Sequence, residues 1–259
     1  MFDCSSIFPF KYQNHFTNNS MKELDINVDI GEGFNIEAEI MPLIQSCNIA
    51  CGGHAGDNGS MIECVEISIR NKVKIGAHPS YPDKINFGRK KINISPSELS
   101  HSIISQIKSL ESIASSYGIT LNHIKAHGAL YNQMIIDADL SNLYLDTLKE
   151  FKKKYSIYIP YKSEIEKRAL KRGFSIAYEV FGDRNYNDDL SLVSRENENA
   201  LITDPNNVIE HIRNIKETDT VKTINGNFQK IKFDTICIHS DTNNSIDILK
   251  KINKEFNGR

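Results

Sequence analysis

A chain of 259 residues with 39% hydrophobic residues has the length and composition for one large domain or two small ones around a buried core. Its 31 basic and 33 acidic residues are interspersed and leave a formal net charge of -2, which excludes the basic footprint of a nucleic-acid or anionic-membrane binder. No apolar run approaches the roughly 18 residues of a membrane span, and five cysteines with no C-x-x-C pair and no secretory signal imply a reduced, cytoplasmic setting.

The first twenty residues show neither helical nor alternating periodicity, and a second methionine, Met21, precedes "KELDINVDIGEG". Residues 1–22 therefore read as an N-terminal extension, and 23–259 as a single domain. From residue 24 short β-rich runs alternate with longer helical patterns, the signature of a parallel sheet. Seven strands are predicted: "LDINVDI", "SCNIACG", "VKIGAH", "LNHIKAH", "SIYIPY", "SIAYEVF" and "TICIHS". Most are apolar on both faces, as buried parallel strands require. Between them, "SPSEL" offers Ser95 as an N-cap with Pro96 in the first turn and Glu98 three residues on, and "TDPNN" gives a similar Asp204-Pro205 entry. "TVKTINGNFQKI" interrupts the alternation and reads as a hairpin around Asn225-Gly226. Glycine and proline never accumulate into a linker. The pattern fits a closed β/α barrel or an open doubly wound sheet, and both place sites at the C-terminal ends of the strands.

Polar residues fall where that rule puts them. The first strand ends in Asp29 and leads to Glu32; the second leads to His54 and Asp57; the third ends at His78; the fourth carries Lys125 and ends at His127, with Tyr131 beyond. The sixth holds Glu179 and runs into Asp183 and Arg184, and the seventh ends at His239 with Asp241 close behind. Only the fifth offers little beyond Tyr161. Two long irregular loops, 77–90 and 181–195, have the length of binding loops, and their Arg89, Arg184 and Arg195 suit bidentate pairing with a carboxylate.

The stretch "NIACGGHAGD" (48–57) lacks the lysine of a Walker phosphate loop, although Gly52, Gly53 and Gly56 suit close backbone approach, with N–H groups at the next helix start available to an anion. Histidines from separate strands suit a zinc site, but no H-E-x-x-H or H-x-H spacing supports one. Acid–base chemistry is the preferred reading, catalytic zinc the alternative, and the metal ligands stay unassigned. Cys47 and Cys51 read as buried structural thiols.

Six segments in order, "DINVDIGEGF", "NIACGGHAGD", "IGAHPSYPD" with "FGR", "IKAHGALYN", "EVFGDRNYNDDLSLVSR" and "ICIHSD", resemble the LamB/YcsF family. The chain departs from the family pattern at Val28, Ala126, Gly182 and Ser240, where cysteine, proline, alanine and glycine are usual. The resemblance implies a seven-stranded β/α barrel of the TIM-like, glycoside hydrolase/deacetylase-like kind. It also implies an ATP-dependent opening of 5-oxoproline (pyroglutamate) to L-glutamate, with Mg2+ accompanying the ATP, no bound organic cofactor, and two other 5-oxoprolinase subunits (B and C) as partners. The ATP requirement is chemically sensible, because an unstrained five-membered lactam recloses readily and phosphorylating its carbonyl oxygen supplies driving force and a leaving group.

On this reading Asp29, Glu32, His54, Asp57, His78, His127 and His239 are the catalytic candidates. Lys125, Tyr131, Glu179, Asp183, Arg184, Arg195 and Asp241 are the substrate-binding ones, with Lys125 and Arg184 neutralising developing charge. The competing readings are a stand-alone metal-dependent amide or carbohydrate deacetylase-like hydrolase and a non-catalytic ligand-binding subunit.

Overall fold

The seven buried runs become seven parallel strands: β1 (Ile26–Ile30), β2 (Ser46–Ala50), β3 (Lys74–His78), β4 (His123–Lys125), β5 (Ser156–Ile159), β6 (Ile176–Phe181) and, after the hairpin β7 (Thr220–Lys222) and β8 (Phe228–Lys230), β9 (Thr235–Cys237). A computed structural model describes residues 23–258, so the extension expected over 1–22 lies outside the described residues. The strands close in the order β1-β2-β3-β4-β5-β6-β9. β1 pairs with β2 on one side, Asp29 opposite Asn48, and with β9 on the other, Ile26 opposite Ile236. Closure leaves the barrel with no edge strand to protect. The β7–β8 pair is antiparallel and turns through Gly226 at φ 84°, as the Asn-Gly signal predicts.

Helices cover the barrel. Ser95 and Glu98 form a reciprocal capping box on helix Pro96–Ser116, and Asp204 caps helix Pro205–Thr218 through the Asn206 and Asn207 N–H groups. Each helix turns one apolar stripe inward: Ile103, Ile107 and Leu110 from the first, Val208, Ile212 and Ile215 from the second, all buried. No helix among the described residues is long and apolar enough to cross a membrane.

Four of the predicted strands, the second, fourth, fifth and seventh, run past the observed ladder at their C-terminal ends. β4 stops at Lys125, because the His127 N–H turns away to the Pro79 carbonyl (2.9 Å) and the chain bends into the cleft. At Gly182, where the family usually has alanine, Ile238 Cδ1 lies 2.7 Å from the position a methyl would take, so the isoleucine tip fills that space here.

Inside the barrel one layer is polar. Register aligns Asp29 with Asn48, Asn48 with Gly76 and Gly76 with His123. Gly76 is what lets the layer close: a Cβ there would sit 2.1 Å from His123 Nε2, which instead reaches Asn48 Oδ1 at 2.6 Å. Asn48 Nδ2 donates to Asn27 Oδ1 and Asp29 Oδ1, both 2.8 Å, and Asn27 Nδ2 donates to Thr235 Oγ1 at 2.9 Å. A buried polar layer is stable only when its members satisfy one another. This one does, and it holds Asp29 rigidly beneath the strand ends.

Candidate active site

A cleft of about 550 Å3 opens at the C-terminal ends of the strands, lined by Asp29, Glu32, His78, Lys125, His127, Tyr131, Phe181, Arg184, Arg195, His239 and Asp241 among others. At its floor Lys125 Nζ lies 2.9 Å from Asp29 Oδ1 and 2.9 Å from Glu179 Oε1, and 3.2 Å from Cys237 Sγ. Burial alone would discharge this ammonium. The Asp29 carboxylate, the Cys237 sulfur and the Glu179 carboxylate reverse that and hold its pKa well above the usual lysine range. Burial likewise pushes Asp29 up, but His78 and Lys125 overcome it and keep the carboxyl ionised. Tyr131 is buried against the Phe181 ring, and burial followed by the Glu179 charge raises its phenol well above the ordinary range.

Beside the floor stand three histidines from three strand ends. His54 and His127 stack face to face at 3.6 Å, and His78 meets both rings edge-on. Glu32 Oε1 is 3.0 Å from His54 Nε2 and 3.4 Å from His127 Nδ1. Burial, then repulsion from Asp29, lifts Glu32 to about 7, so two neighbouring carboxyls are pushed apart: Asp29 charged, Glu32 holding its proton into the neutral range. Burial depresses His54 to about 2 and drives His127 well below the imidazole range, so both rings are neutral. Ligand atoms of Glu32, His54, His78 and His127 all lie within 4.8 Å of one another, as do those of Asp29, Cys237 and His239. Asp29 and Cys237 of the second group already contact the Lys125 ammonium; no lysine or arginine among the described residues pairs with Glu32 in the first.

Across the cleft His239 Nδ1 faces the buried Asp183 carboxylate at 3.0 and 3.1 Å, and Phe181 stacks on the ring. The carboxylate accepts a hydrogen bond from Nδ1–H, which leaves the Nε2 lone pair free to accept a proton. Burial raises Asp183, but His239, the Thr242 hydroxyl and the His239 backbone N–H outweigh it and draw the pKa to about 2. Because the folded value lies below the unfolded value of about 3.9, this carboxylate stabilises the fold above that pH, and the contribution disappears as pH falls from about 4 toward 2. Asp183→Asn is expected to lose on the order of 2–3 kcal/mol at neutral pH and to flatten the acid limb of the stability curve. Urea unfolding at pH 7 and pH 3 checks it; an unchanged difference between the two pH values would refute it.

The structure does not bring every predicted residue to the cleft. Asp57 caps helix Asn58–Asn71: its carboxylate accepts the Ser60 N–H at 2.9 Å while Ser60 Oγ accepts the Asp57 N–H. It is therefore placed as a structural cap, and it occupies the helix start where an anion was expected. Asp57→Ala should cost about 1 kcal/mol and leave turnover unchanged, as thermal melts and an activity assay would show. Gly53 and Gly56 serve packing: a Cβ would meet Gln106 Oε1 at 2.3 Å and the Ala50 carbonyl oxygen at 2.6 Å. Arg184 lines the cleft, but its guanidinium is engaged in holding the 181–195 loop, donating to the Val193 (2.7 Å) and Ala200 (3.3 Å) carbonyls. Arg89 and Arg195 converge on Asp241, at 2.5 and 2.8 Å, so the carboxylate they hold is the protein's own.

The site also uses residues not singled out from the sequence. The Phe87 carbonyl accepts from His127 Nε2 at 3.0 Å, and its ring packs edge-on against His54 and His127. Asn27, Asn48 and His123 anchor Asp29 from below. Their signal was parity: Asn27 alternates with Asp29 along β1, facing inward, whereas the runs were read simply as apolar on both faces.

The LamB/YcsF family model matches residues 24–259. A Pyrococcus abyssi protein named as the A-subunit of 5-oxoprolinase is 36% identical over 236 residues, covering 89% of this chain and 92% of the relative. One of the same name from Campylobacter jejuni is 38% identical over 241 residues, covering 91% and 94%. The crystal structure of a lactam utilization protein from Thermus thermophilus superposes with a TM-score of 0.83 at 28% identity, over 90% of this chain and 96% of that one. Match, identity and superposition extend over nearly the whole described barrel, and the chain belongs to the LamB/YcsF family.

Proposed function

We propose that the chain is the hydrolytic subunit of an ATP-dependent 5-oxoprolinase, opening the 5-oxoproline ring to glutamate in concert with two partner subunits. The observation that carries this reading is a proton acceptor opposed to an electrophilic pocket across one small cleft. His239, oriented by Asp183, faces the Glu32–His78–His127 cluster, and both border the charged Lys125 floor. In ring opening, a water adds to the lactam carbonyl carbon and His239 takes the water's proton through Nε2. The cluster side polarises the oxygen on that carbon, the ring C–N bond breaks, and the departing nitrogen takes the proton back, so His239 ends as it began. Phosphorylation of that oxygen from ATP on a partner supplies the driving force, and a second water hydrolyses the resulting acyl phosphate to glutamate and phosphate. Lys125 supplies fixed positive charge in a dry site, where it is worth more than in water.

No Walker loop is present in the sequence, which supports leaving the nucleotide and its Mg2+ to a partner. The relatives are named as one lettered component of a larger enzyme, which supports an assembly. The four described cysteines are free and buried, which supports a reduced cytoplasmic setting.

The test is glutamate release from 5-oxoproline and ATP by the purified chain alone and with its two partners. Release only from the mixture supports the reading. No release from any combination overturns it, and saturable 5-oxoproline binding without turnover would instead favour a non-catalytic binding role.

A further inference from the structure

We infer that Glu32, His78 and His127 form a binding site for one divalent transition-metal ion of the zinc class, oriented by His54 and open toward the cleft. Backbone hydrogen bonds set where two of these histidines carry their hydrogens. His78 Nδ1 lies 2.9 Å from the Lys125 carbonyl oxygen, and a carbonyl can only accept, so Nδ1 carries the hydrogen. His127 Nε2 lies 3.0 Å from the Phe87 carbonyl oxygen and carries its hydrogen by the same logic. With one hydrogen on each ring this fixes both tautomers, and the two remaining nitrogens, His78 Nε2 and His127 Nδ1, present lone pairs to each other at 3.0 Å. Glu32 Oε1 stands 3.4 Å from His127 Nδ1, and Asp29 Oδ2 stands 3.4 Å from His78 Nε2. Once Glu32 has given up the proton it holds into the neutral range, four acceptors face one another in a buried space, a repulsive arrangement unless something positive sits among them.

The neighbouring acceptor group has its cation in Lys125; this one has none from the described residues. Either an added proton or a metal ion fills the role, and three observations favour the metal. Two of the donor separations, 3.0 Å between the histidines and 3.4 Å from Glu32 to His127, are close to the roughly 3.3 Å between ligands about 2.0–2.1 Å from a tetrahedral zinc, and the third lies within 4.8 Å. Each histidine gives its second nitrogen to a backbone carbonyl, the arrangement that orients metal-bound imidazoles. His54 Nε2 stands 3.0 Å from Glu32 Oε1 while its Nδ1 is buried without a partner, so the polar contact this ring makes is directed at that carboxylate. Two imidazoles and a carboxylate leave a fourth coordination position open to the cleft, as in catalytic rather than structural sites. The inference rests on the proposed reaction only for the use of that position: the ion would be the electrophile of the cluster side.

The test does not require activity. The full chain, purified without chelator and dialysed against zinc or cobalt, is expected to retain about one metal per chain by elemental analysis, and the cobalt form to show visible d–d absorption. His78→Ala and His127→Ala should lose the ion while circular dichroism shows them folded. His54→Ala, which removes the contact to Glu32 and the ring stacked on His127, should weaken binding by about 10–100-fold. Wild-type chain that is folded yet retains neither metal overturns the inference and assigns the charge to a proton on His78. Bound metal with no glutamate release from any combination of partners would leave the site standing and sink the proposed reaction; glutamate release from metal-free protein would do the reverse.

Discussion

Lys125→Met is expected to lower stability by about 3–5 kcal/mol, the range for breaking a buried ion pair from one side, and to abolish turnover. Methionine fills much of the same space, so the loss is electrostatic. Without the ammonium, Asp29 and Glu179 remain almost wholly buried as carboxylates with no cation between them. Asp29 keeps the hydrogen bond from Asn48 Nδ2 and the His78 contact at 3.4 Å, and these cannot replace a charge 2.9 Å away. Adding Glu179→Gln should recover part of the lost stability, because it removes one of the two uncompensated charges, while turnover stays absent. Urea midpoints of the single and double variants separate the two effects. A Lys125→Met protein as stable as the parent would show that the floor is not held by this ion pair.

His239→Gln should reduce kcat by about 10^2–10^4-fold, the usual contribution of a positioned acid–base group, with little change in stability. The fold tolerates the change because Asp183 keeps two donors that do not depend on the imidazole, the residue 239 backbone N–H at 2.9 Å and the Thr242 hydroxyl at 2.5 Å. KM should stay within a few-fold if the ring acts on the proton rather than on binding. Steady-state glutamate release by the assembled complex measures both. A rise in KM with kcat unchanged would move His239 from proton transfer to substrate contact.

The barrel was legible because its signals are local: apolar runs of strand length, a capping box at Ser95, an Asn-Gly turn. The candidate site was legible as a set of strand ends but not as an arrangement. Position along the chain brought His54, His78, His127 and His239 to one rim; it could not reveal that His239 stands apart with Asp183 while the other three stack around Glu32, since that division depends on which way each loop turns. Asp57 looked like Asp29 in sequence, both sitting at a strand-to-loop boundary, yet one points along a helix axis and the other into the barrel. Tautomers were equally invisible, because they are set by the Lys125 and Phe87 carbonyls, and backbone acceptors have no sequence signature.

The closure between β1 and β9 has a kinetic consequence. It joins Thr235 to Asp25 across 210 positions of chain, so the strand pairing with the greatest loop-closure cost is also the one that completes the ring. The strand that closes it leads directly to His239 and Asp241. During synthesis, with the N-terminal portion emerging first, the first six strands can begin to associate with Asp29 and the three histidines already present. The opposing proton acceptor and the clasp for Arg89 and Arg195 arrive only with the last segment. Chemical competence is thereby tied to completion of the ring, and a partly made chain has one wall of the cleft without the other.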